Sequence, residues 1–349
     1  MKASYVSSNA ISQALRYSMM RMQTELVAAQ KESTTLRVAD VGLALGTRTG
    51  QSVSLARDVE RLNGIIDSNS LISSRLSSTQ DVLDQLTSRA EEFRSTLSAA
   101  VSGSTEKSVV QADGAAMLEL LTSTLNTSIN GQYLFAGINT DVKPIADFSD
   151  PASPNKIAFD NAFQTHFGFA LTDPAAGNIT AAQMDTFLTN VVEPQFLGSG
   201  WDANWSGATD QPIVSRIALN ETADTSVSAN ITGIRKLAMV AAITSELMKA
   251  PLNSGAATAL NTRALGLVVE GIAEVTDQRT LTGIAERRVT NASERIDIQV
   301  NLFEKTITDM EGVDMYEAAT RVSALVSQVE TAYALTSRIQ QLSLLKFMS

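Results

Sequence analysis

Cysteine is absent from this 349-residue chain, and histidine occurs once, as His166. The first absence excludes thiol catalysis, cysteine-ligated zinc or iron–sulfur centres and a disulfide framework. The second leaves a Ser-His-Asp hydrolase a single candidate base and denies a zinc protease the two histidines its helix must carry four residues apart. Basic residues are outnumbered 27 to 37, for a formal charge of −10 and a pI near 4.8. Affinity for nucleic acid comes from counterions displaced by a Lys/Arg surface, so no nucleic-acid partner is expected. Aromatics are only 5%, and much of the 44% apolar fraction is alanine, valine and leucine, a composition suited to helix faces. The longest apolar runs, residues 237–243 and 264–269, fall far short of the roughly 20 residues a membrane helix needs, so no membrane insertion is expected. After Met1 and Lys2 the N-terminus is polar and lacks the apolar run of a cleavable signal peptide.

Proline is confined as well as scarce. All seven, Pro144, Pro151, Pro154, Pro174, Pro194, Pro212 and Pro251, lie between residues 144 and 251, with Trp201 and Trp205 among them. Because proline lacks a backbone donor and disrupts helix interiors, the flanks are free to form long helices. The expected fold is mainly α: a long antiparallel helical rod or coiled coil built from both chain ends, with a small β-rich (α+β) insert at mid-chain. Five segments follow: an N-terminal assembly helix over 1–45, an outgoing rod over 46–138, the insert over 139–229, a return rod over 230–312 and a C-terminal assembly helix over 313–349.

The rod is the clearest pattern. Leu62, Ile66, Asn69, Ile72, Leu76, Thr79, Leu83, Leu86, Ala90, Phe93 and Leu97 advance by alternating steps of three and four, the spacing of a heptad seam. At 1.5 Å per residue this helix would run roughly 54 Å. Such a seam needs a partner, since burying each leucine or isoleucine contributes about 1.5–3 kcal/mol while a lone amphipathic helix is marginal in water. A break at Val101-Ser102-Gly103-Ser104 leads to a second helix carrying Val110, Met117, Leu121 and Leu125, expected to end at Asn130-Gly131 with Gly131 as a left-handed C-cap. The return stripe, Val289, Ala292, Ile296, Phe303, Ile307 and Met310, ends at Gly312 and is the natural antiparallel partner. Asp314 with Glu317 then reads as a capping box for a last helix.

Both ends are amphipathic and free of glycine and proline. Residues 1–41 carry Ile11, Leu15, Met19, Met22 and Leu26; residues 313–349 carry Val322, Val326, Val329, Tyr333, Ile339 and Leu342 and close on Leu344-Leu345-Lys346-Phe347-Met348. Chain ends are usually polar and frayed. Two apolar-striped ends without a local core are expected to pair with each other and to seek neighbouring subunits. Alternatively, both helices close one large bundle within the monomer.

The segment Asn130-Gly131-Gln132-Tyr133-Leu134-Phe135-Ala136-Gly137 is similar to the signature NG-x-Y-x-F-[AS]-G that leads from rod to insert in the flagellin superfamily. Paired terminal helices, a helical rod and a mid-chain insert resemble that superfamily over roughly residues 1–138 and 230–349. The ending Gln340-Gln341-Leu342-Ser343-Leu344-Leu345-Lys346-Phe347-Met348 resembles the hook-filament junction proteins within it, which close on a leucine-serine-leucine aromatic segment. Asp40 to Gly50 stands where flagellins carry Asp-Asp-Pro, a departure from a plain flagellin.

The resemblance implies a structural subunit joining hook to filament, not an enzyme, needing no cofactor. It implies self-association in a ring or tube, neighbouring hook-associated protein and flagellin as partners, flagellar type III export without a cleaved signal, and a location in the extracellular flagellum. It further implies a cytoplasmic export chaperone that covers the C-terminal helix, where Leu342, Leu345 and Phe347 would need hiding. Filament flagellin, or a secreted coiled-coil adhesin binding through the insert, are the alternatives; a cytoplasmic enzyme or scaffold has least support.

In the insert, Lys156-Ile157-Ala158-Phe159 and Ile213 to Leu219 read as short strands among turn residues. Trp201 and Trp205 suit a small core better than sugar stacking. His166 is expected to be a packed or surface side chain. Gly46-Thr47-Arg48-Thr49-Gly50 lacks the Lys-Ser/Thr of a phosphate loop and reads as a turn. Asp147, Asp150, Asp173 and Asp202 lack EF-hand spacing. Asn126, Asn178 and Asn204 begin N-glycosylation triplets, which arise often by chance. No catalytic or metal residue is assigned.

Overall fold

The computed structural model describes the backbone of residues 8–347, and the side chains of residue 10 and residues 13–338. The described residues are 75% helical. In order come α1 (Ser8–Thr35), α2 (Val41–Leu45), a 3-10 turn (Gly46–Arg48), α3 (Thr49–Val101) and α4 (Lys107–Leu125). The hairpin β1 (Ser128–Ile129) and β2 (Gln132–Tyr133) follows, then α5 (Pro154–Phe167), α6 (Ala181–Phe187), α7 (Glu193–Leu197) and the hairpin β3 (Val214–Ala218) and β4 (Glu221–Asp224). The chain returns through α8 (Thr232–Leu247), α9 (Ser254–Glu311) and α10 (Met315–Phe347). Two compact units result, one from Met1–Gly64 with Ile296–Ser349, the other from Ile65–Arg295; α3 and α9 contribute to both.

In the second unit the expected seam of α3 is the floor of the core. Leu83, Leu86, Ala90, Phe93 and Leu97 are fully buried with Val110, Met117, Leu121 and Leu125 of α4. Every residue of α8 from Leu237 to Leu247 is buried, as expected for a helix that is apolar nearly all round. Within this unit α3 and α9 run antiparallel: Asp84 pairs with Arg279 at 2.6 Å, Gln80 donates to Glu286, and Asn69 donates to Ser293 at 3.0 Å. Leu76 of α3, Val289 and Ala292 of α9 and Ile217 and Ala223 of the β3–β4 hairpin make a smaller satellite cluster. Asn69, a polar break in the seam, is used there: its Nδ2 also donates to the Ile217 carbonyl at 2.9 Å.

The insert shares the main core. Phe148, Phe159, Phe163, Trp201 and Trp205 are buried together with α4 and α8. Trp201 and Trp205 stack at 5.7 Å, and Trp205 stacks on Phe148 at 4.9 Å. The tryptophans are therefore core residues. Residues 214–218 form the expected strand, but Lys156–Phe159 lies in α5, which corrects its reading as a strand. A four-residue alternation cannot distinguish period 2 from period 3.6, and Pro154 in the first turn is preset for a helix that buries Phe159 and Phe163 on one face.

Candidate assembly interface

In the first unit α1 lies antiparallel to α10. Gln23 donates to the Tyr333 hydroxyl at 2.7 Å, Arg321 donates to Glu32 at 3.3 Å, and Thr336 donates to the Met19 sulfur at 3.9 Å. On both helices a row of buried or half-buried positions steps by four and three: Leu15, Met19, Met22, Leu26, Ala29 and Ser33 on α1, and Ala318, Val322, Leu325, Val329, Ala332 and Thr336 on α10. Ala29, Ala318, Leu325 and Ala332 are the buried members, and small side chains at such positions let the two backbones approach closely.

Leu15, Met22, Leu26, Val322, Val326 and Val329 are thus half-buried, whereas Tyr333 is exposed and held by Gln23. The side chains of Ile11, Ile339, Leu342, Leu345 and Phe347 lie outside the described residues. Sequence reasoning passed over Ala318, Leu325 and Ala332. Their seven-residue spacing was the available signal, masked because two are alanines and Val326 and Tyr333 sit one position further on. Leu15, Met22, Ala332 and Leu335 line an open groove of about 470 Å³ between the helices, with serine, threonine and glutamine completing its walls.

The connectors fix how these helices enter and leave. α1 ends with Leu36 in the left-handed region at φ 54°, its N–H donating to the Glu32 carbonyl at 2.8 Å. Glycine usually fills this position because it has no Cβ to crowd the carbonyl. Leu36 is held there by its neighbours: its carbonyl accepts from Val313 N–H at 3.0 Å, and Val38 N–H donates to the Glu311 carbonyl at 2.9 Å. Buried Glu311 also accepts from the Ser52 hydroxyl and pairs with Arg37 at 3.6 Å. Asp314 caps α10 as expected, accepting from Tyr316 N–H at 2.8 Å and Glu317 N–H at 3.1 Å, but the Glu317 carboxylate turns to Arg321 instead of back to the Asp314 N–H, so the expected capping box is corrected to a simple N-cap. α2, the 3-10 turn and the start of α3 occupy the divergent stretch from Asp40 to Gly50, so Gly46–Arg48 is a turn as expected whereas Thr49-Gly50, read as part of it, opens α3.

The motif beginning at Asn130 is a structural joint in the second unit. α4 ends at Leu125, and Asn130-Gly131 makes the two-residue turn between β1 and β2, correcting its reading as a helix C-cap. Both residues have positive φ, 52° and 79°, as a type I′ hairpin turn demands. The Tyr133 carbonyl accepts from Arg75 of α3 at 2.8 Å, and Phe135 is fully buried with its carbonyl taking Ala229 N–H at 2.8 Å. Gly137, at φ 66°, packs so closely that a Cβ would meet the Thr209 carbonyl and lie 2.8 Å from that of Gln211. Tyr133 is half-buried. The motif therefore clasps α3, the loop at 209–211 and the chain entering α8.

The minor candidates have local explanations. Asp147 accepts from Ser149, and these hydrogen bonds hold its carboxyl below the usual range. Asp150 accepts from Ala152 N–H, Asp173 caps a 3-10 turn, and Asp202 lies 3.7 Å from Arg235. His166 is exposed against Phe167 and Phe187. The Asn126 side chain is engaged with both backbone groups of Ile145 at 3.0 Å. Among the described residues there is no cluster of three metal-ligating side chains, and no helix long and apolar enough to cross a membrane.

Residues 6–140 match the bacterial flagellin N-terminal helical region and residues 265–348 the bacterial flagellin C-terminal helical region, together well over half of the chain. A solved structure described as a putative flagellar hook-associated protein from Vibrio parahaemolyticus shares the fold, with a TM-score of 0.51 and 12% identity over 76% of this chain and 97% of that one. No curated protein matches the sequence. With its paired terminal helices and the clasp at Asn130–Gly137, the chain belongs to the bacterial flagellin family, whose members are structural, self-assembling components of the extracellular flagellum.

Proposed function

We propose that this flagellin-family chain is a hook-filament junction subunit. The observation that carries this reading is the closing segment Leu342-Ser343-Leu344-Leu345-Lys346-Phe347-Met348, which resembles junction proteins more than the alanine- and glutamine-rich end of filament flagellins. The missing Asp-Asp-Pro at Asp40–Gly50 supports it, and so does the fold shared with a protein described as hook-associated. On this reading 1–45 and 313–349 are the assembly helices, 46–138 and 230–312 the rod, and 139–229 a variable insert. The stripe of Leu15, Met22, Leu26, Val322, Val326 and Val329, together with Ile11, Tyr333, Ile339, Leu342, Leu345 and Phe347, is the assembly and chaperone interface: it pairs the terminal helices with each other, and what that pairing leaves half-open meets neighbouring subunits. Before type III export a cytoplasmic chaperone covers the C-terminal part of that surface, where ordering entropy is later offset by burial in the assembly.

Deletion of the gene separates the two flagellar roles. Loss of a junction subunit leaves hooks without filaments while flagellin escapes into the medium as monomer. Loss of the filament subunit leaves no flagellin to escape, and purified protein then polymerises alone into long tubes. The second pattern, seen by electron microscopy and supernatant immunoblot, would overturn the junction reading.

A further inference from the structure

The first unit carries two apolar stripes that its own packing leaves uncovered. On α1, opposite the seam facing α10, Tyr17, Met20, Thr24, Val27 and Lys31 step by three and four, and Tyr17, Met20 and Val27 are 76%, 67% and 65% exposed. Helices with two heptad seams bury one within the chain and offer the other. On α9, Ile298, Leu302, Lys305 and Asp309 make a similar outward stripe, with Ile298 at 69% and Leu302 at 59% exposure. The two stripes differ in charge. Residues 16–31 contain Arg16, Arg21 and Lys31 against Glu25, which pairs with Arg21 at 3.0 Å and leaves this face net positive, whereas residues 297–309 contain Asp297, Glu304 and Asp309 against Lys305 alone.

We infer that the outward face of α1 in one copy docks on the outward face of α9, at Ile298 and Leu302, in a second copy. Opposite charge flanking two exposed apolar stripes selects this pairing over α1 on α1, where Arg16 and Arg21 would oppose their own kind. The patches are different, so the contact is heterologous: a joined pair keeps one free α1 face on one copy and one free α9 face on the other, and repetition gives a ring or an open helical array instead of a closed dimer. The inference rests on the assembly role proposed above and names one contact within it.

The absence of cysteine gives a direct test. Full-length Tyr17→Cys and Ile298→Cys variants, mixed at rising concentration under mild oxidation, should yield a disulfide-linked dimer that neither variant gives alone. Arg16→Glu with Arg21→Glu should lower the yield about tenfold, and Asp297→Arg with Glu304→Arg on the other partner should restore it. Self-association by sedimentation without the mixed disulfide would overturn this contact while leaving the assembly role standing. Chains that stay monomeric at every concentration would overturn both.

Discussion

Replacing Gly137 with alanine tests the clasp directly. Two separate penalties apply at this position. An L-residue held at φ 66° costs about 1–2 kcal/mol in left-handed backbone. The new methyl must also fit against the Thr209 carbonyl and 2.8 Å from the Gln211 carbonyl, and overpacking of rigid backbone costs about 1–3 kcal/mol. Gly131→Ala supplies the control, because Gly131 has φ 79° but nothing lies within 4 Å of the place its new methyl would take. The expected destabilisation is therefore about 2–5 kcal/mol for Gly137→Ala and about 1–2 kcal/mol for Gly131→Ala. Both tryptophans lie in the core of the second unit, so urea unfolding followed by tryptophan fluorescence reads the stability of that unit. Equal midpoint shifts for the two variants would refute the close approach and reduce the glycine signature to a matter of backbone conformation.

Three further perturbations address the other elements. Leu325→Asp places an unpaired charge in the α1–α10 seam, where Leu325 is 9% exposed, and should cost several kcal/mol; faster hydrogen exchange throughout α1 is the expected readout, and unchanged protection would refute the heptad assignment. Asn69→Leu removes the donor to Ile217 and Ser293 and leaves a buried carbonyl unsatisfied, for an expected loss of about 1–3 kcal/mol; a gain in stability would show the polar break is dispensable. Glu221 is held below the ordinary carboxylate range chiefly by its hydrogen bond from Arg295, with Arg288 adding a second. Its contribution is present above the ordinary carboxylate pKa and is lost as pH falls through the depressed one, so amide protection of β3 and β4 should drop in that acid window and be pH-independent there in Glu221→Gln.

The long helices were legible because their signal is redundant. Eleven positions from Leu62 to Leu97 repeat the same spacing, and no glycine or proline pattern contradicts them strongly enough to break the helix. The cap at Asp314 was legible for a similar reason, since three-residue spacing places a carboxylate on a free N–H. Asn130-Gly131 was located but misassigned: a positive-φ pair suits either a helix end or a hairpin, and only strand pairing with Arg75 behind it decides. Lys156–Phe159 was too short to carry a period.

Sequence alone determined that this is a cysteine-free, acidic, helical chain with apolar stripes at both ends and a proline-punctuated middle, because composition and periodicity are local properties. Tertiary structure decided which stripe residues are buried. Ala318, Leu325 and Ala332 face α1 because register between two helices depends on both partners, and no single helix encodes it. It also decided that the insert shares a core with α4 and α8, since the burial of Trp201, Trp205 and Phe148 depends on surfaces contributed from far along the chain.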